Sequence, residues 1–182
     1  MTPLKRFSLL VFFLLLSPTL LFPTSIPLNT TSQVFFSPNG GATTAIVDAL
    51  NAAKQEILVQ AYSFTSQPIA NALVNAYKRN IKVEIILDKS QLTAKSSMLS
   101  YVANVKESPG RPGIPTYIDS KHAIAHNKVM IIDRKTVITG SFNFTKSAEE
   151  HNAENLIIIP STELAKEYIA NFTTHKQHSV KY

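Results

Sequence analysis

Two apolar runs, Ile57-Leu58-Val59-Gln60-Ala61 and Val83-Glu84-Ile85-Ile86-Leu87, flank a segment whose Ile69, Leu73 and Tyr77 fall on one helical face, with Pro68 suited to its first turn. Strands joined by a helix of that length pair in parallel, and parallel strands are buried on both faces. The chain is therefore constrained to lay helices over a sheet. Around this unit the sequence predicts a strand over 33–37, the turn Pro38-Asn39-Gly40-Gly41, and a helix carrying Ile46, Leu50 and Ala53. Residues 90–104 are weakly helical, 116–118 form a short strand, and 126–132 a strand that turns at Arg134-Lys135 into a hairpin partner over 137–140. Residues 147–152 read as helix or loop, 154–159 as a buried strand, and 160–172 as a last helix. The expected class is α/β, a mixed central β-sheet flanked by helices.

Residues 1–25 begin with Lys5 and Arg6, continue in an apolar run from Phe7 to Leu16, and then turn polar at Ser17-Pro18-Thr19. That is the layout of a secretory signal, which places the protein outside the cytoplasm, secreted or periplasmic. The segment lacks an A-x-A cleavage box, so an uncleaved membrane anchor stays as the alternative. Residues 26–32 read as a spacer, 33–175 as one domain and 176–182 as a polar tail. With no Cys in 182 residues, disulfides, thiolate metal sites and a Cys nucleophile are excluded. The formal net charge of +6 favours a polyanionic partner.

The chemistry is concentrated in His126-Asn127-Lys128-Val129-Met130-Ile131-Ile132-Asp133 and in Gly140-Ser141-Phe142-Asn143. On a strand, His126, Lys128, Met130 and Ile132 share one face, and Asn127, Val129 and Ile131 the other. Imidazole beside ammonium suits an anionic substrate, because His titrates near neutrality and Lys is a fixed charge. A phosphodiester requires charge neutralisation, a nucleophile and a proton for the leaving alkoxide. His126 is the nucleophile, giving a phosphohistidine that water then cleaves. Lys128, Ser141 and Asn143 bind the non-bridging oxygens, the work a metal ion does elsewhere, so neither metal nor cofactor is expected.

Several other residues carry weaker signals. Tyr62 and Phe64 read as core packing in preference to site residues. The Pro/Gly loop at 107–115 is either a groove wall, with Arg111 or Lys121 on phosphates, or a solvated loop. His122 reads as a bystander that could still belong to the site. His175 and His178 lie in the polar stretch after the last helix and are not read as metal ligands.

The spacing HxKx4Dx6GSxN, met at His126, Lys128, Asp133, Gly140, Ser141 and Asn143, resembles the motif of the phospholipase D superfamily, over about residues 34–168. The chain looks most like that superfamily's small secreted bacterial endonucleases with one motif per chain. The resemblance implies the same α/β sandwich and identifies Glu154 as the carboxylate behind the nucleophilic His. Asp133 joins the catalytic set as the motif's acidic residue, in the role of holding the turn and the basic residues. Members with two motifs use one His from each, so a single-motif chain is expected to be a homodimer with one shared site. The function implied is a metal-independent, non-specific endonuclease acting on DNA or RNA. The alternative is a phospholipase D-type hydrolase of phospholipid headgroups at a membrane. A non-catalytic binding module is disfavoured by the intact motif.

Overall fold

In the computed structural model the described residues are 25–105 and 112–182. The segment expected to be a signal or anchor, but for Ser25, and most of the Pro/Gly loop with Arg111 lie outside them. Thirteen elements follow in order: β1 (Gln33–Phe36), α1 (Ala42–Ala52), β2 (Glu56–Ala61), α2 (Gln67–Lys78), β3 (Lys82–Asp88), α3 (Leu99–Ala103), β4 (Thr116–Asp119), β5 (Lys128–Ile132), β6 (Thr136–Gly140), α4 (Lys146–Glu150), β7 (Asn155–Pro160), α5 (Thr162–His178) and β8 (Val180–Lys181). The strands form one sheet in the order β1-β7-β6-β5-β2-β3-β4-β8. β2, β3 and β4 run parallel, and every other pairing is antiparallel.

The α/β class follows from burial on both faces. Ile57, Val59, Val83, Ile85, Met130 and Ile132 enter the larger core with Ile46 and Leu50 of α1 and Ile69 and Leu73 of α2. Leu58, Ile86, Val129, Ile131 and Val137 face the other way, against Ala165 and Phe172 of α5. α1 has no capping side chain of its own. Glu149 of α4 supplies one across the fold, accepting hydrogen bonds from the backbone N–H of Gly41 at 3.0 Å and Thr43 at 2.7 Å.

The structure departs from the sequence reading in four places. Residues 90–104 break into a 3₁₀ turn, Lys89–Leu92, and the short α3. The motif strand starts at Lys128, which leaves His126 in the connection before it. The hairpin turns at Asp133-Arg134, both at positive φ (52° and 58°), as a two-residue primed turn requires. Most consequentially, residues 176–182 are no tail: α5 continues to His178, and β8 pairs with β4. The apolar stripe of α5 does end at Phe172, but beyond it Lys176 pairs with Glu84 and lies over the Tyr117 ring at 4.9 Å.

Asp133 occupies the end of β5 remote from His126, five residues and about 17 Å along the strand from Lys128. Its carboxylate accepts from the backbone N–H groups of Lys54 (2.9 Å), Gln55 (2.7 Å) and Glu56 (3.1 Å). It thus ties the hairpin to the start of β2, away from the sheet end that carries Lys128. Burial raises its pKa, but the three N–H groups outweigh that and hold it below the ordinary value. Asp133→Ala is expected to lose about 1–3 kcal/mol of stability in chemical denaturation at neutral pH. Because the folded pKa is depressed, this contribution is present above the unfolded Asp pKa and is lost as pH falls through the folded one. The gap between wild type and variant should therefore shrink in acid.

Candidate active site

The hairpin geometry brings the motif's two halves together. β5 and β6 are antiparallel, with Met130 opposite Ile138, so continuing the register two residues sets Lys128 opposite Gly140. β5 also pairs with β2 in antiparallel register, Lys128 facing Ala61, and β7 starts at Asn155 beside Gly140. Tyr62, His126, Lys128, Ser141 and Glu154 consequently meet at one end of the sheet.

Gly140 is needed there for steric reasons. Its φ is 148°, and a Cβ would lie 2.3 Å from the Asn155 carbonyl oxygen. The close approach lets the backbone N–H groups of Ser141 and Phe142 both donate to that oxygen, at 3.1 and 3.2 Å. Ser141 Oγ donates to Glu154 Oε2 at 2.6 Å and accepts from Asn155 Nδ2 at 3.2 Å. The other Glu154 oxygen, Oε1, accepts from Asn152 Nδ2 at 3.1 Å. Ser37, after β1, braces this corner by accepting from Glu154 N at 3.1 Å and donating to the Asn152 carbonyl at 2.9 Å. Asn143 leaves its amide oxygen buried with no hydrogen-bond partner among the described residues, so that group is not committed to the fold.

Lys128 is 6% exposed. Its Nζ donates to the His126 carbonyl at 3.2 Å and stands 5.1 Å from the centroid of the Tyr62 ring. Desolvation lowers its pKa, opposed by the negative charge of Glu154. His126 is exposed, its ring 4.6 Å from that of Tyr62 and tilted by 56°. A buried cation with donors to spare thus lies beside the same Tyr62 ring as a solvent-facing imidazole, an arrangement fitted to an anionic group arriving from outside.

Residues 46–176 match the family described as cardiolipin synthase, PLD-like domain. The chain belongs to the phospholipase D superfamily. A protein named phospholipase D from Rickettsia felis is 45% identical over 141 residues, covering 78% of this chain and 67% of that protein. The crystal structure of Nuc from Salmonella typhimurium, a phospholipase D family member, superposes with a TM-score of 0.76 at 39% identity, covering 84% of this chain and 97% of that one. The mitochondrial cardiolipin hydrolase of Mus musculus is 27% identical over 127 residues, 70% of this chain and 54% of that protein. The chain thus spans about two thirds of the length of the first relative and about half of the last. As a superfamily member it is a phosphodiesterase hydrolase.

Within the superfamily motif, the structure brings His126, Lys128, Ser141 and Glu154 to one corner but gives Glu154 a different set of contacts from the one expected. Its oxygens go to Ser141 and Asn152, and no bond to the His126 ring is formed. Tyr62, read as core, is half-buried and touches both His126 and Lys128; Phe64 is core. His122 lies outside this corner, bonded to Asp119. Two positioning residues carried no sequence signal: Ser37, and Asp88, whose Oδ2 accepts from the Ala125 N–H at 2.7 Å and so fixes the residue before His126. The lowered pKa of Lys128 has a kinetic consequence, since the ammonium must be charged to hold a phosphate. The alkaline limb of kcat/KM should fall below the ordinary lysine value of about 10.4, and Lys128→Arg should move it upward at reduced rate. A profile flat to that pH would contradict the role given to Lys128.

Proposed function

We propose that this chain is an exported endonuclease of low sequence specificity, cleaving through a phosphohistidine on His126 without a catalytic metal. The observation that carries this reading is the exposed His126 ring and the buried Lys128 ammonium, both against the Tyr62 ring. A nucleophile on an open sheet end can reach a phosphodiester in the middle of a long polymer, and the net charge of +6 draws such a polymer in. His126 attacks phosphorus with one ring nitrogen and the alkoxide leaves with a proton; water then attacks the phosphohistidine and frees the imidazole. Lys128, Ser141 and Asn143 bear the phosphoryl oxygens, while Glu154 orients Ser141 and balances Lys128.

The leaving group's proton requires a second acid, and the chain holds one HxK. A homodimer about a two-fold axis would supply it from the partner's copy of the same motif, forming one shared site. A second reading, hydrolysis of phospholipid headgroups, is supported by the relatives named phospholipase D and mitochondrial cardiolipin hydrolase. It gains weight if residues 1–25 remain as an anchor.

Plasmid DNA, RNA and phosphatidylcholine vesicles should be offered side by side, with EDTA added at the start of the assay. Nicking of nucleic acid is expected, with vesicles left intact; choline release alone would favour the lipid reading. Activity lost in EDTA and restored by Mg2+ or Mn2+ would overturn the metal-free mechanism. The shared site is tested by co-refolding equal amounts of wild type and His126→Ala. Random pairing leaves about a quarter of full activity if each site needs both copies of His126, and about a half if sites are independent. A value near a half, or an active monomer at high dilution, would sink the dimer.

A further inference from the structure

We propose that Asp119, His122, His175 and His178 form a structural zinc site that locks the end of α5 to the connection leading to His126. One ligand atom from each lies within 4.8 Å of all the others. Asp119 Oδ2 is 2.9 Å from the His122 nitrogen, 2.9 Å from that of His175 and 3.3 Å from that of His178. Zinc bound tetrahedrally at about 2.0–2.1 Å separates its ligand atoms by about 3.3 Å. A relaxation that opens the 2.9 Å contacts and draws the wider pairs together would admit the ion.

The arrangement is hard to account for with protons alone. Three imidazole nitrogens lie within 3.3 Å of one carboxylate oxygen that offers two lone pairs, and the one that can also reach the other oxygen, His122 Nδ1 at 3.2 Å, shares it with the Lys121 N–H at 3.1 Å. The three rings crowd together, with centroids 4.9, 5.1 and 5.3 Å apart, so charging them all would set like charges in contact. A dication shared by four neutral or anionic donors satisfies all of them at once. Asp119 is suited to this, being fully buried, with its other oxygen held by the Lys121 N–H at 3.1 Å. A second, independent sign is Gln60, 2% exposed, whose amide nitrogen and oxygen both lack partners among the described residues. It lines the same narrow gap as Asp119 and His175 and offers the buried acceptor that a metal-bound imidazole's second N–H requires.

Donor chemistry selects the ion. Three imidazoles and one carboxylate suit zinc, whereas Mg2+ and Ca2+ want oxygen sets. Four protein ligands leave no position for a substrate, so the site is structural. It is also separate from the phosphodiesterase corner: β4 lies three strands from β5, about 14 Å, and Asp119 is on the α5 face, opposite Lys128. Asp119 and His122 flank the start of the connection that ends at His126, and His175 and His178 are one turn apart on α5.

The test uses the full chain without a polyhistidine tag, stripped by chelator dialysis and titrated with Zn2+ against a competing zinc dye. Elemental analysis after desalting should find about one zinc per chain, Co2+ should give the intense visible bands of tetrahedral coordination, and Mg2+ should not compete. His122→Ala, on an exposed connection, and His178→Ala should each weaken Zn2+ binding by at least about 10- to 100-fold, with folding checked by circular dichroism. Less than about a tenth of an equivalent in the wild type, or undiminished binding in a folded His122→Ala, would overturn the site. Because the readout is bound metal, its failure is distinct from failure of the nuclease reading.

Discussion

A lysine ammonium at 6% exposure, with no carboxylate in salt-bridge contact among the described residues, is the constraint on which the active corner depends. Burying a charge costs free energy unless the surroundings replace water. Around Lys128 the replacement is partial: one carbonyl, the face of Tyr62, and the charge of Glu154 at longer range. A phosphoryl oxygen placed between Lys128 and Ser141 supplies the missing counter-charge. Interactions left incomplete in the free protein and completed as charge builds on phosphorus are those that lower the barrier.

Holding that cation in place dictates the topology around it. β5 lies centrally, between β2 and β6, so Lys128 is walled by strands on both sides. The motif's spacing then becomes a length: the five residues of β5, residues 133–135 at the turn and the five residues of β6 carry the chain from Lys128 back to Gly140 at the same sheet end. Asp133 belongs to the motif because the turn must be anchored for that register to hold. A slip of one residue would turn Lys128 and Met130 to the α5 face.

This explains what could be read in advance. The hairpin, the parallel β2–β3 pair and the paired faces of β5 are written in local periodicity, and Lys128 and Ser141 in motif spacing. Ser37, Asp88 and the continuation of α5 are not. Ser37 contacts residues more than a hundred positions away, and the last turns of α5 dock through Lys176, His175 and His178, so no apolar repeat marks them. Polar docking leaves a helix end that reads as a tail. Tyr62, half-buried against His126 and Lys128, departs from the core reading for a related reason, since an aromatic after a buried strand reads as core whichever way it faces.

His126 is held by its backbone, and its ring makes no hydrogen bond with the described residues. Ala125 N–H is fixed by Asp88, and the Asn127 carbonyl accepts from Tyr62 N–H at 2.8 Å, so the chain is pinned on both sides of His126. Among the described residues no hydrogen bond fixes the His126 ring; only the Tyr62 ring touches it. Such an imidazole can present a bare nitrogen to phosphorus, but among the described residues no hydrogen bond selects its tautomer. Of the other four histidines, three are engaged with Asp119 and His151 sits beside Glu150. The proposed mechanism needs one group to orient His126 and another to protonate the leaving oxygen, neither of which is among the contacts of its ring with the described residues, and a two-fold partner would meet both needs with one surface.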